Sequence, residues 1–93
     1  MTEASATEAT TGHAPPYPGH PLKQPPPTKG EQVRTWQKQM VKRGFDLKVD
    51  GIYGPKSEDD ARDLQKMAGL KIDGKVGEKT WKCTWECNIT LPK

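Results

Sequence analysis

The sequence predicts an all-α fold: a small three-helix bundle with an internal two-fold repeat. Its 93 residues allow one small domain at most. Apolar residues recur at spacings of three and four in two separate segments, as they do on one face of an amphipathic helix. A glycine-rich motif also occurs twice, with its equivalent positions 23 residues apart. Two copies of one turn-and-helix unit, packed together, account for these observations.

We divide the chain into a Pro-rich lead, a folded domain and a short C-terminal tail: residues 1–29, 30–87 and 88–93. Seven of the nine prolines lie in the lead, where they exclude a regular helix or a central strand. We therefore expect a disordered tail or an interdomain linker. The alternative is a short strap, in which Tyr17, Pro18 and Leu22 dock on the domain.

The first helix is predicted over about Glu31–Lys42. Val33, Trp36 and Met40 lie three and four positions apart, which places them on one face that can pack in a core. Acidic residues near its start and basic residues near its end suit the helix dipole. Gly44 is a suitable stop, and a short alternating segment follows before the first glycine-rich turn.

The second helix is predicted over about Ser57–Ala68. Ser57 and Asp60 have the spacing of a capping box, in which a hydroxyl and an acidic side chain satisfy the first free N–H groups. Ala61 and Leu64 lie on its apolar face, and Gly69 ends it.

A short third helix is predicted to begin near Lys79 or Thr80. It carries Trp81 and Trp85 on one side, four positions apart. One candidate role of the three tryptophans is to form an aromatic platform on which sugars stack. We expect instead that Trp36 and Trp81 lie in the core and that Trp85 is the most exposed of the three.

The repeated motif spans Val49–Ser57 in its first copy and Ile72–Thr80 in its second. In each copy an apolar residue anchors the loop and Asp-Gly forms a turn. A second glycine then permits a positive φ, and a Ser or Thr caps the next helix. The aligned pairs are Asp50 with Asp73, Gly51 with Gly74, Gly54 with Gly77, Lys56 with Lys79, and Ser57 with Thr80.

The spaced residues follow the order Gly30-x-x-Val33-x-x-Trp36-Gln37, Gly44-Phe45, Val49-Asp50-Gly51-Ile52-Tyr53-Gly54-Pro55, Leu64-Gln65, Gly69-Leu70 and Asp73-Gly74-x-Val76-Gly77-x-x-Thr80-Trp81. This pattern closely resembles the peptidoglycan-binding domain type 1 family over roughly residues 30–85. The resemblance implies a three-helix bundle with a two-fold repeat. It also implies a module that binds the glycan or peptide parts of peptidoglycan and is commonly attached to amidases, muramidases and phage endolysins.

The same resemblance implies a non-catalytic anchor that holds an attached or partner hydrolase on the cell wall. Its expected location is the wall or the extracellular space, or the wall at lysis if a phage encodes it. The expected oligomeric state is a monomer. The Pro-rich lead, through Tyr17-Pro18-Gly19, is similar to segments that precede such domains in actinobacterial and actinophage proteins.

The chain departs from the family pattern at four positions. Glu78 stands where a proline is common, and Leu64 where an aromatic residue is usual. Cys83 and Cys87 stand where small residues are usual. The two cysteines are one helical turn apart, within reach of a disulfide. Their side chains would point in parallel and strain the bond, so we expect free thiols.

Six residues are the candidate ligand contacts: Tyr53, Asp50, Gly54, Lys56, Arg62 and Gln65. Tyr53 either stacks its ring on a sugar or covers the core. For Asp50 the alternative role is accepting backbone N–H bonds in its own turn, which Asp73 would do in the second copy. Arg62 and Gln65 either border a groove or belong to a solvated helix face, and Lys56 either contacts carboxylates or is simply solvated.

Other function classes find little support in the sequence. No nucleophile with a base, separated acid pair or metal-ligand cluster is present, so we expect no enzyme activity, no cofactor and no metal. Basic residues alternate with acidic ones, which argues against a nucleic-acid partner despite the net charge of +3. No apolar run is long enough for a membrane span. The remaining alternative is a protein-interaction or regulatory module with the same fold.

Overall fold

The computed structural model describes residues 14–87 of the chain. Within them lie three helices: α1 (Glu31–Lys42), α2 (Pro55–Ala68) and α3 (Glu78–Glu86). α3 packs against both of the others. The extended pairing in this part of the chain consists of isolated bridges. These elements confirm the all-α, three-helix prediction, while residues 1–13 and 88–93, predicted to be tails, lie outside the described residues.

The starts of α2 and α3 differ from the prediction because the hydroxyl residues do not cap them. α2 begins at Pro55, which fits a first helical position since it has no N–H to satisfy there. Its N-cap is Gly54, and no side chain caps it. Ser57 therefore lies inside the first turn, so the predicted capping box with Asp60 is wrong. α3 begins at Glu78 in the same way, after a glycine N-cap.

The positive φ angles of the repeat lie at the first glycine of each copy, not at the second as predicted. Gly51 has φ 75° and Gly74 has φ 74°, so the Asp-Gly pair itself makes the left-handed turn. Gly54 and Gly77 have φ −102° and −82° and serve as helix N-caps. The two copies are thus alike in backbone geometry as well as in sequence.

The core forms where the three helices and the two turns meet. Trp36, Tyr53 and Leu64 are completely buried, and the rings of Trp36 and Tyr53 lie 5.4 Å apart. The indole N–H of Trp36 donates to the Thr84 hydroxyl at 3.0 Å, so burial leaves it satisfied. Trp81 is also buried, which confirms the core role predicted for both tryptophans.

Residues 14–29 form a strap across the bundle, not the disordered tail that was predicted for them. Leu22 is completely buried in the core. Its N–H and carbonyl pair with Val76 at 3.1 and 2.8 Å. Further along, the carbonyl of Thr28 accepts the N–H of Tyr53 at 2.8 Å. Because Tyr53 and Val76 are equivalent positions of the repeat, the strap joins both copies.

The beginning of the strap lies on α3. The indole N–H of Trp81 donates to the carbonyl of Pro15 at 2.7 Å, and the ring of Tyr17 meets Trp81 edge-on at 6.4 Å. Trp85 also packs on Trp81, with ring centroids 4.8 Å apart, and remains partly exposed. The structure therefore favours the strap that the sequence left as an alternative.

Cys83 and Cys87 form a disulfide, whereas free thiols were predicted. Cys87 follows the last residue of α3, so the pair spans the helix end and not an internal turn. Its Cα atoms are 4.5 Å apart, inside the disulfide range of roughly 4.4–6.8 Å. Arg43 also binds this end of the chain, donating to the carbonyls of Thr84 and Cys87.

Candidate functional site: two grooves related by the repeat

A buried glutamine holds the first turn together. Gln37 is 1% exposed. Its amide oxygen accepts the backbone N–H groups of Asp50 and Gly51 at 3.1 and 2.8 Å. Its amide nitrogen lies within hydrogen-bond distance of the Asp50 carboxylate, the Ile52 carbonyl and the Ser57 hydroxyl, at 3.2, 3.0 and 3.1 Å. One side chain thus connects α1, the turn and the start of α2.

Gln65 holds the second turn in the same way, and it is also 1% exposed. Its oxygen accepts the N–H groups of Asp73 and Gly74 at 3.1 and 3.0 Å. Its nitrogen lies 2.9 Å from the Asp73 carboxylate, 2.9 Å from the Lys75 carbonyl and 3.0 Å from the Thr80 hydroxyl. The hydroxyls predicted to cap helices therefore accept from the two glutamines instead.

Gln37 and Gln65 do not align with each other when the two copies of the repeat are superposed at one constant offset. The two glutamines are 28 positions apart, whereas the turns that they bind are 23 apart. The extra residues lie between Gln37 and the first turn, partly in the longer end of α1 and partly in the loop that contains Phe45 and Leu47. The available signal was the shared dipeptide Trp36-Gln37 and Leu64-Gln65, in which a core apolar residue of a helix precedes a glutamine.

The first groove lies beside the first turn and the start of α2, and its volume is about 320 Å³. Its walls are largely apolar: Leu47, Ile52 and Pro55 line it, and Ile52 is 41% exposed. Lys48 and Lys56 contribute its positive charges. Three predicted site residues, Asp50, Gly54 and Lys56, therefore come together here.

The second groove lies beside the second turn and the start of α3, and its volume is about 560 Å³. Equivalent positions line it, but their chemistry differs. Lys75 stands in place of Ile52, and Glu78 in place of Pro55. Lys71 and Lys79 complete its charged lining. The second groove is thus larger and more polar than the first.

The carboxylates of Asp50 and Asp73 accept hydrogen bonds within their own turns. The Ile52 N–H and the Gln37 amide donate to Asp50 and lower the pKa of its carboxyl. Burial alone would raise the pKa of Asp73, but hydrogen bonds from the Lys75 N–H and the Gln65 amide outweigh it and lower that pKa. Both carboxylates are therefore held ionised in the turns.

The structure does not place Tyr53 where a sugar could stack on it. Its ring is completely buried, and its hydroxyl donates to the Gly74 carbonyl at 2.7 Å. Burial also raises the pKa of this hydroxyl. The residue joins the first turn to the second, so covering the core is the role that the geometry supports.

Gln65 and Arg62 do not form a free groove rim. Gln65 reaches the second groove only as part of its floor, with its amide engaged in the second turn. Arg62 is exposed and pairs with Glu58 at 2.8 Å, one helical turn away on α2. Gln24 of the strap also donates to Glu58, at 2.6 Å. The pKa of Glu58 is lowered by both contacts.

Metal-binding clusters and membrane-spanning helices are absent from the described residues. Among residues 14–87, no group of three or more His, Cys, Asp or Glu side chains could hold a metal ion. In the same part of the chain, no helix combines the length and the apolar character that a membrane span requires. A third, smaller cavity of about 140 Å³ lies between the start of the strap and α3, and the two grooves related by the repeat are the larger candidate sites.

Comparison with known proteins identifies the family. The model of the family described as "Putative peptidoglycan binding domain" matches residues 29–83. This match covers more than half of the chain, including both turns, both glutamines and the greater part of the three helices. A comparison with curated proteins finds no match. The chain belongs to the family of peptidoglycan-binding domains.

Proposed function

We propose that this chain is a non-catalytic module that binds peptidoglycan through the first groove. Family membership is the observation that carries the proposal, since the matched family is a binding domain. The geometry of the groove adds support. Its apolar wall of Leu47, Ile52 and Pro55 matches the apolar face of a sugar ring, and nearby polar groups can fix the orientation of a ligand.

The rigidity of the turns suits a shallow binding surface. Gln37 fixes the Asp50-Gly51 turn with hydrogen bonds to both backbone N–H groups, so the groove needs little ordering when a ligand binds. Binding then loses less conformational entropy than it would on a mobile loop. A single shallow site is nevertheless weak, and attachment to a second wall-binding or wall-cleaving unit would raise the effective affinity.

The biological role that we propose is to hold an attached or partner hydrolase, of the endolysin type, on the cell wall. This role rests on the family and on the weakness of a single shallow site, which attachment to a hydrolase would offset through effective concentration. The corresponding location is the wall or the extracellular space, or the wall at lysis if a phage encodes the chain.

The test replaces one apolar residue of the first groove. Ile52→Ser should weaken binding to purified, insoluble peptidoglycan roughly tenfold, because an apolar contact worth about 1.4 kcal/mol is lost. Ile72→Ser is the matched control, since Ile72 is similarly exposed, at 49% against 41%, and does not line the groove. Co-sedimentation gives both affinities, and circular dichroism checks that each variant is folded.

Equal binding by the Ile52→Ser variant and the wild type would remove the first groove from the proposal. An equal loss in both variants would show that surface hydrophobicity in general, and not this groove, drives retention. A folded wild-type chain that is not retained at all would contradict the proposed function and favour a protein partner.

A further inference from the structure

Because of the internal repeat, the residues that line the second groove can be compared position by position with those that line the first. Lys71 and Lys79 of the second groove are equivalent to Lys48 and Lys56 of the first, and Lys75 replaces the apolar Ile52. The second groove therefore has three lysines where the first has two. All three are exposed, so their ammonium groups are available to a ligand.

The environment of the lysines differs between the two grooves. Lys56 pairs with Asp60 at 3.1 Å, and the side chain of Asp60 is only 6% exposed. The position equivalent to Asp60 in the second copy is Cys83, which forms a disulfide and carries no charge. Lys79 consequently lacks the ion pair that holds Lys56. Among the described residues, no ion pair within 4.0 Å involves Lys71, Lys75 or Lys79.

Two carboxylates share the second groove with these lysines. Asp73 is committed to the turn, because its Oδ1 accepts from Gln65 and from the Lys75 N–H. Glu78 is exposed at the first position of α3 and opposes the approach of an anion. With three lysines and two carboxylates, the lining retains an excess of positive charge. Removal of the negative charge of Glu78 should therefore raise the affinity for an anion, whereas removal of a lysine should lower it.

We propose that the second groove is a subsite for the carboxylates of the peptide stems of peptidoglycan. This inference rests on the proposed function, in which the first groove takes the sugar. Lysines suit a flexible carboxylate ligand because each ammonium is a mobile point charge with three donors. A volume of about 560 Å³ lies in the range of ligand pockets, roughly 300–1,000 Å³. Two unlike grooves on one small domain then match a polymer whose glycan strands carry charged peptide stems as branches.

The experiment uses the full chain, cell walls that retain their phosphate polymers, and peptidoglycan that has been chemically freed of them. Half of the phosphate-free peptidoglycan is then stripped of its stem peptides with an amidase. Because this hydrolysis leaves a lactyl carboxylate on each muramic acid and releases soluble strands, those carboxylates are converted to amides, and all materials are immobilised on beads before binding is measured. We compare the wild type with Lys75→Gln/Lys79→Gln and with Glu78→Gln. The matched control is Lys38→Gln/Lys42→Gln, which removes two exposed charges from α1, away from both grooves.

On intact material the Lys75→Gln/Lys79→Gln variant should bind about fivefold more weakly, the effect of losing two exposed ion pairs. The α1 control should bind like the wild type, and Glu78→Gln should bind more tightly. On stripped material the wild type should weaken, and its difference from the lysine variant should disappear. The rise in affinity of Glu78→Gln is a change that loss of structure could not produce.

Each failure has a distinct meaning. If the wild type binds intact and stripped material equally and the lysine variant matches it, the subsite is wrong while the proposed function stands. If the lysine variant is weaker only on material that retains its phosphate polymers, the anion is phosphate and the assignment to stem peptides is wrong. If the folded wild type binds neither material, the proposed function fails and this inference fails with it.

Discussion

At the residue scale, the two buried glutamines explain why the repeated turns keep their shape. Each amide satisfies two backbone N–H groups of an Asp-Gly turn and approaches a hydroxyl on the next helix. Buried polar groups cost free energy unless they are paired, and here each glutamine pairs with a complete set of partners. Gln37 and Gln65 are thus structural residues beneath the grooves.

Gln65→Ala should lower the free energy of unfolding by about 3 kcal/mol, since it leaves buried N–H groups unpaired and opens a cavity. Urea denaturation measures the loss. Gln32→Ala is the control, because Gln32 is an exposed glutamine on α1 and should change stability little. Equal stability of the two variants would show that the buried hydrogen bonds do not hold the second turn.

Asp60 should show the opposite behaviour from the turn aspartates. Burial raises its pKa more than Lys56 lowers it, and its Oδ2 is buried without a hydrogen-bond partner among the described residues. Because the folded-state pKa of Asp60 is raised, protonation of its carboxyl stabilises the fold. This contribution is complete at a pH below the unfolded-state pKa of about 3.9. That contribution is lost as pH rises through the folded-state pKa.

Asp60→Asn should therefore raise the free energy of unfolding by about 1 kcal/mol at pH 7, because it removes a buried charge. The gain should shrink as pH falls towards 3. Denaturation across this pH range measures it, with the exposed Asp59→Asn as control. A variant less stable than the wild type at pH 7 would mean that the Lys56 ion pair outweighs the cost of burying the carboxylate.

The sequence indicated the turn role of Asp50 and Asp73 beside a possible ligand contact, and it left open whether Tyr53 contacts a sugar or covers the core. An aspartate before glycine forms its hydrogen bonds locally, so residue type and spacing suffice to predict the turn. The hydroxyl of the buried Tyr53 is satisfied by the carbonyl of Gly74, 21 positions away. No local pattern encodes that contact, and Val76 at the equivalent position contains no hydroxyl that would indicate it.

At the element scale, the strap completes a bundle whose helices do not close the core alone. Leu22 enters the core, while Thr28 and Leu22 provide backbone partners for the two turns. The helices were predictable because amphipathic spacing is local. The strap was not, since proline-rich composition excludes helix and strand but does not determine whether an extended segment docks on a surface.

Leu22→Ala should lower the free energy of unfolding by about 3 kcal/mol, through lost apolar burial and a residual cavity. Pro16→Ala is the control, because Pro16 belongs to the same strap and is exposed. Thermal and chemical denaturation both report the change. Equal stability of the two variants would mean that the strap leaves the core without cost, and that the folded unit begins near α1.

At the scale of the whole molecule, duplication produces two grooves on one rigid support, and divergence makes them unlike. Ile52 and Lys75 occupy equivalent positions with opposite chemistry. The sequence revealed the duplication and the family. It did not reveal the second groove, because Gln65 and the three lysines come together only when α2, the second turn and α3 pack.

Specific wall binding is tested by co-sedimentation of the folded chain with purified peptidoglycan at increasing salt concentrations. The chain carries a net charge of +3, so attraction to an anionic surface alone would be screened at about 1 M salt, where the Debye length is about 3 Å. We predict saturable retention that weakens as the salt concentration rises but persists at about 1 M. Ile52→Ser should reduce this retention, and Ile72→Ser should leave it unchanged. Retention that disappears with salt and is indifferent to Ile52, or no retention by the folded chain, would contradict a specific wall-binding site.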